Sequence, residues 1–599
     1  FAKVDAKIKE NSNDTLDIIY TIDTGEKALI KNIKFTGDKF YKDRKLRSVI
    51  VSEENKFWKF ISSKKYLDVD RIELDKRLLR NFYLNKGYYK VEIESSSAIF
   101  NDNFFELIYN VNSGNKYFIN DVNLDIPIDY DIKDFKDVQK TINNLKNKKY
   151  SFNKINKVIK EIDKISVARL YDFIDATIEI NEIDDDKLDL KFSIIESDKF
   201  FVNKINIFGN SITEEKVIRN LLEVDEGEPF NKLLHSKSIN NLKALRIFGS
   251  VKDEIISIDN SQQKNINITV EEKPTGEILA SAGVGNDGGT IGFSITEKNF
   301  MGRGIGLVNS LELSEERVKG QFTINNPNFN YTEKSLDTSF FAINTDKMAD
   351  SGYDSSEVGF SFGTGFEQYD NLFFKPTFRT VAEKLETNSL ASSSIKKQEG
   401  NYFTSTVGYT FDYDLRNQKF QTTDGFRTRI FQTLPIISDS NTITTGFAYD
   451  QYLSYEELTT SVGLYLKNAT GLSDDVRISE RVGLPRNRLR GFKPGRIGPV
   501  DAGNDHVGGN YAGSLNFTTN LPMILPTLQN FEFAYFFDIG NVWGTDYRAS
   551  DFDDSNYLRA STGAGIEWWT PVGPLSVTLS HAVQKKTTDE FEGFQFNIG

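Results

Sequence analysis

Six arginines crowd into residues 477–496: Arg477, Arg481, Arg486, Arg488, Arg490 and Arg496. Gly491, Pro494, Gly495, Gly498 and Pro499 run among and just after them, so the stretch is a long loop rather than a tight turn. A loop this basic either sits outside near anionic headgroups or folds inward against carboxylates. One carboxylate is placed by alternation. Phe531, Phe533, Tyr535 and Phe537 share one strand parity, which puts Asp538 on the opposite face. There an arginine would relieve the cost of a poorly solvated carboxylate, and channel water is the plainer partner.

The remaining candidates for chemistry are weak. Gly283-Val284-Gly285-Asn286-Asp287-Gly288 has the spacing of a dinucleotide fingerprint, but that motif must open a helix, and Ile291 to Ile295 alternates like a strand. His235, His506 and His581 lie far apart with no metal-ligand spacing. The chain has no cysteine, so it has no thiolate chemistry and no disulfides. With no catalytic cluster, no metal site and no cofactor motif, the expectation is a protein that is not an enzyme. A net charge of −13 argues against a nucleic-acid partner.

The elements that carry these residues fall into two kinds. Residues 1–276 hold 8 of the 42 glycines and 38 lysines, whereas residues 277–599 hold 34 glycines and 13 lysines. Mean hydropathy is −0.43, and no run of about 18 apolar residues suggests a membrane helix. The chain opens at Phe1 without Met or a leader-like segment, as expected of a processed protein or a piece of one.

The first kind repeats. Ile33-Lys34-Phe35-Thr36-Gly37-Asp38 is echoed by Ile205-Asn206-Ile207-Phe208-Gly209-Asn210, with Val122-Asn123-Leu124 near the midpoint between them. Strand-like runs close at Lys27, Lys116, Lys199 and Lys273, giving four tails but three heads. The expected units are a truncated module at 1–24 and complete ones at 25–113, 114–196 and 197–273. Each reads strand, helix, helix, strand, strand. In the first complete unit Leu46, Val49 and Ile50 belong to one helix and Leu78, Leu79 and Phe82 to the next. In the last, Ser211 and Glu214 suggest a capping box for a helix bearing Val217, Ile218, Leu221 and Leu222. Ile239, Leu242 and Leu245 form a second helix stopped by Gly249. Small sheets of this kind either offer exposed edges to extended peptides or serve as spacers with protected edges.

The second kind, 274–599, alternates. Val358, Phe360, Phe362 and Phe366 oppose Gly359, Ser361, Gly363 and Gly365, and the pattern recurs at Val407 to Tyr413 and Phe447 to Tyr455. Roughly 320 residues at about 20 per strand and turn make about 16 strands. The aromatic outward parity and scarce lysine favour a transmembrane antiparallel β-barrel over a β-sandwich, and lipid requires closure. The fold class is therefore tandem α+β modules followed by such a barrel.

Arg488-Leu489-Arg490-Gly491-Phe492, Val507-Gly508-Gly509-Asn510 and Phe536-Phe537-Asp538-Ile539-Gly540-Asn541-Val542-Trp543 together resemble the BamA family of bacterial outer-membrane protein assembly factors. Thr275-Gly276, Asn299 to Gly304, Pro571 to Leu575 and Phe594 to Gly599 extend the likeness, and the modules resemble that family's POTRA domains. The resemblance implies an outer-membrane location with POTRA modules in the periplasm. It implies a loop 469–511 folded into the lumen, with the motif Arg488, Arg490, Gly491, Phe492 at its tip and Arg490 paired with Asp538. Where many relatives carry a glutamate, this chain has Asn516. The family signature usually continues a few residues past Gly599, which implies missing residues at both ends.

The function implied is folding and insertion of β-barrel proteins. Its partners are unfolded outer-membrane clients, accessory BAM lipoproteins and outer-membrane lipid. Clients would be templated at a weak seam between a first strand at Gly276 to Gly285, entered from Thr275 and containing Gly283, and a last strand at Phe591 to Gly599, containing Phe594 and Phe596. The alternatives are a TamA-like or two-partner-secretion translocation pore, or a passive outer-membrane channel.

Overall fold

The computed structural model describes residues 3–10, 16–23, 29–56, 63–101, 104–128, 130–169, 174–196, 200–259, 261–285, 288–332, 334–389, 391–419, 422–455, 458–501, 505–521, 531–546, 553–570 and 573–598. The chain divides into two units. One comprises residues 1–204, 224–236 and 256–265, the other 205–223, 237–255 and 266–599.

A hairpin of β1 (Lys3–Glu10) and β2 (Leu16–Asp23) comes first. The next module comprises β3 (Leu29–Thr36), α1 (Asp43–Arg47), α2 (Val69–Asn85), β4 (Glu92–Asn101) and β5 (Phe104–Asn112). After it come β6 (Phe118–Asp125), α3 (Lys136–Asn143), α4 (Phe152–Arg169), β7 (Ile174–Asp184) and β8 (Lys187–Glu196). In both modules the last strand is central, in the orders β3-β5-β4 and β6-β8-β7, and the first strand joins it in parallel. A parallel pair needs a crossover, which the two helices supply.

Asp68 caps α2 by accepting from Arg71 N, and buried Asp75 accepts from Val51 N and from Tyr109 Oη at 2.6 and 2.7 Å. One apolar core runs from Ile30 to Ile194 through both modules. α1 is shorter than the apolar spacing predicts, because the chain leaves the helix after Arg47 and inserts Ile50 from the following turn.

The third module holds β9 (Phe201–Phe208), α5 (Glu215–Arg219), α6 (Lys232–Ala244), β10 (Phe248–Ser257) and β11 (Gln263–Glu272), in sheet order β10-β11-β9. Three local expectations are corrected here. The Ser211–Glu214 capping box does not form, because Ser211 Oγ donates to Glu272 instead and Glu214 caps α5 without a side-chain bond. α5 ends at Arg219, leaving Leu221 and Leu222 in the next turn. α6 ends at Ala244, before Leu245, and the chain turns at Arg246 with φ +57°, so Gly249 lies inside β10 and stops nothing.

The barrel is closed and contains sixteen strands, each antiparallel to the next. They are β12 (Gly276–Gly285), β13 (Gly288–Phe300), β14 (Ile305–Ser314), β15 (Arg317–Asn326), β16 (Ser335–Lys347), β17 (Tyr353–Tyr369), β18 (Leu372–Thr387) and β19 (Gly400–Asp414). β20 (Gly425–Ser438), β21 (Thr442–Tyr455), β22 (Leu458–Gly471), β23 (Tyr511–Leu521), β24 (Phe531–Trp543), β25 (Arg559–Thr570), β26 (Gly573–Gln584) and β27 (Phe594–Ile598) complete it.

Val358, Phe360 and Phe362 face outward. Gly359 between them admits the inward ring of Phe341, which would lie 2.7 Å from a Cβ there. Among the described residues no helix is long and apolar enough to cross a membrane. The would-be nucleotide motif runs straight into β13, with Asn286 and Asp287 outside the described residues.

Two boundaries move. β22 extends to Gly471 by pairing with Thr442, and β23 starts at Tyr511, so the long loop is 472–510 rather than 469–511. The last strand starts at Phe594, because Phe591 turns inward and bridges Phe492. Gly599 lies outside the described residues.

Candidate functional site

The tip of loop 472–510 is held by charge-assisted bonds to the barrel wall. Arg490 donates to Asp538 from its backbone N at 3.0 Å, from Nε at 2.8 Å and from Nη2 at 2.7 Å. Nη2 also reaches Thr518 Oγ1 at 2.9 Å, and the guanidinium lies 3.9 Å over the Phe536 ring. Asp538 is fully buried. A carboxylate without solvent needs this many donors to remain charged at low cost.

Asn516 adds another donor, giving its Nδ2 to Asp538 Oδ1 at 2.8 Å and to the Arg488 carbonyl at 2.9 Å. A carboxylate at position 516 could do neither and would put a second negative charge beside Asp538. This chain therefore runs the network on one carboxylate.

The neighbouring motif residues are placed as firmly. Arg488 forks onto Asp450 of β21 at 2.8 and 3.1 Å. Gly491 has φ +88°, and a Cβ there would lie 2.7 Å from both the Phe591 ring and Ser580 Cβ, so only glycine fits. Its N donates to Gln595 Oε1 at 3.0 Å, and its carbonyl accepts from Glu592 N at 2.6 Å. Phe492 is buried and packs edge-on against Phe591, with ring centroids 5.1 Å apart. Arg486 reaches Glu592 at 3.0 Å. At the base of the loop, Arg477 meets Glu480 at 2.8 Å and stacks over Tyr402 at 4.0 Å.

The seam between the first and last barrel strands is built from backbone pairing. β12 pairs with β13 along its whole length, from Gly276↔Glu297 to Gly285↔Gly288. With β27 it pairs, among the described residues, at Val284↔Ile598 and Gly285↔Asn597. Gly276 and Gly283 pair with Glu297 and Thr290 in the β12–β13 ladder, while Thr275 lies just before β12 and its hydroxyl bonds Glu297. Phe594 points outward, Phe596 pairs with Val577, and the two rings lie 5.9 Å apart.

The last module meets the β13–β14 turn within the second unit. Glu272 accepts from Ser211 Oγ at 2.7 Å, Thr213 N at 2.6 Å and Ile212 N at 2.8 Å. Burial pushes its carboxyl upward, but these donors outweigh burial and hold it down at about 2. The loop so fixed docks on the turn through Glu214 N to the Gly302 carbonyl at 2.8 Å and Asn299 Nδ2 to Thr213 Oγ1 at 2.9 Å.

Sequence reasoning missed Asp450, Glu592, Gln595 and the buried pair Arg559–Asp589. Parity is the signal for one of them, since Arg559 shares the inward face with Ser561, which pairs with Asp538. Among the described residues no group of His, Asp or Glu could hold a metal ion.

The profile of the Omp85 superfamily domain matches residues 299–599, and that of POTRA, the surface antigen variable number repeat, matches 28–114 and 200–273. The outer membrane protein assembly factor BamA of Neorickettsia risticii is 25% identical, over 99% of this chain and 80% of that protein. The factor of the same name from Neisseria meningitidis is 21% identical, over 100% of this chain and 81% of that protein. Among solved structures, BamA from Haemophilus ducreyi lacking POTRA domains 1–3 is 21% identical. It superposes with a TM-score of 0.60 over 80% of this chain and 99% of that one, a likeness of fold.

Proposed function

Because the chain belongs to the Omp85 superfamily, we propose that it folds and inserts β-barrel proteins into the bacterial outer membrane. The observation that carries this reading is the closure of the barrel by its first and last strands, β12 and β27. β12 meets β27 at Val284↔Ile598 and Gly285↔Asn597, and Ile278 and Leu279 of β12 are exposed to the outside. Unpaired backbone polar groups at membrane depth cost several kcal/mol each, so an edge exposed by parting β12 from β27 favours any strand that arrives. An unfolded client barrel supplies one. Pairing along β12 would satisfy both partners, and client folding and burial in lipid would provide the driving force without a nucleotide.

The modules sit in the periplasm and receive clients. β4 is an edge strand beside α2, and a groove of about 390 Å³ lined by Lys76, Arg80, Val91 and Ile93 runs between them. An extended peptide can add to such an edge through its backbone, which suits clients of many sequences. Accessory BAM lipoproteins are the remaining protein partners in this reading, and the role is non-catalytic.

The test uses the absence of native cysteines. Gly285→Cys with Asn597→Cys places a single disulfide across the seam. In reconstituted liposomes, the oxidised protein should lose client insertion and the reduced protein should regain it. Undiminished insertion by fully oxidised protein would overturn the proposal.

A further inference from the structure

The segment that leads into the last strand, residues 585–593, is held more tightly than the strand itself. β26 runs on to Gln584, yet β27 begins opposite Leu579, so the connecting chain folds back along the inside of the wall. Asp589 in this segment and Arg559 at the start of β25 are both fully buried. Arg559 Nη2 donates to Asp589 Oδ1 at 2.8 Å and Nε to Oδ2 at 3.0 Å, while Nη1 reaches the Tyr557 carbonyl at 2.8 Å and Asn541 Oδ1. Asp589 Oδ2 also accepts from Lys586 N at 2.6 Å, closing the turn that starts the segment. Four residues on, the Gly593 carbonyl accepts from Ser580 N at 2.7 Å, and β27 follows at once.

We propose that Arg559 and Asp589 are positioning residues for the seam: they fix where β27 begins, and so set its placement against β12. The inference rests on the reading of the seam as the insertion site. Neither residue touches β12, and they act through residues 589–593. An ion pair out of solvent is strongly destabilised by loss of one partner, because the other charge stays buried. Release of this pair therefore loosens the segment at Asp589, which the loop tip still holds at Phe591 and Glu592, and lets β27 shift against β12 while β25 and β26 stay zipped through Thr562↔His581 and their neighbours.

The experiment measures two disulfides separately in the full chain in liposomes. Gly285→Cys/Asn597→Cys reports the seam, and Thr562→Cys/His581→Cys reports the β25–β26 ladder. Asp589→Asn should slow oxidation of the seam pair roughly tenfold, Arg559→Lys by less, and Asp589→Glu should recover most of the rate. None should alter the ladder pair. If the seam pair oxidises at the parent rate in both Asp589→Asn and Arg559→Lys, the proposal is overturned. If both disulfides slow together, the pair is a general fold element and the proposal is likewise overturned. Client insertion is measured in the same samples. A slowed seam pair with unchanged insertion leaves the positioning role standing and removes the seam from the insertion mechanism.

Discussion

The loop tip and the closing seam lie close together in one barrel and are built in opposite ways. At the tip, one buried carboxylate collects donors from Arg490 and Asn516, and a glycine admits no other side chain. At the seam, two strands meet through backbone pairing, at Val284↔Ile598 and Gly285↔Asn597 among the described residues. The contrast teaches that the loop is fixed by side chains crossing the lumen, whereas the seam is joined by backbone pairing between strands. A strand edge can then open without the wall losing its shape, because the anchors of loop 472–510 on β21 and β24 do not involve β12.

Breaking the tip should cost most. Arg490→Ala strands Asp538 in a site without solvent and should lower barrel stability by about 3–5 kcal/mol, measured by urea unfolding in detergent micelles. If the contact is direct, Arg490→Asp combined with Asp538→Arg should recover part of that loss; two additive defects would deny it. Gly491→Ala forces a side chain into the left-handed region and against Phe591, and should cost about 1–3 kcal/mol in the same assay. Arg488→Lys keeps the charge but loses the fork onto Asp450, an effect of about 1 kcal/mol.

The smallest effect lies at the module junction. Glu272 is held at about 2 against an ordinary 4.5, so its contribution to docking is full above pH 4.5 and disappears as pH falls towards 2. Hydrogen exchange at Ile212 and Thr213 should therefore gain protection as pH rises through that window, after correction for intrinsic rates. Glu272→Gln should remove the dependence.

Much of this was legible in the amino-acid order, for physical reasons that differ by region. Period-two alternation marks a wall with one lipid face, so Val358 to Phe366 and the inward direction of Asp538 follow from parity alone. The seam glycines Gly283 and Gly285 were visible, but the register of β27 was not, because it depends on where residues 585–593 fold back. Asp450, Gln595 and Asp589 meet partners 38, 104 and 30 positions away, and no local pattern marks such pairs. Ser211 to Glu214 shows the converse failure. The local capping pattern was present, yet Glu272 from the neighbouring strand offered the same backbone a better acceptor.

The central claim is that client strands assemble on the seam edge of β12. A photo-crosslinking amino acid placed in turn at positions 276 to 283 of the full chain, during insertion of a client barrel into liposomes, tests it most directly. The account predicts adducts between β12 and the client's terminal strand, in a register that advances with position. Insertion that proceeds while no position on β12 captures the client would contradict it.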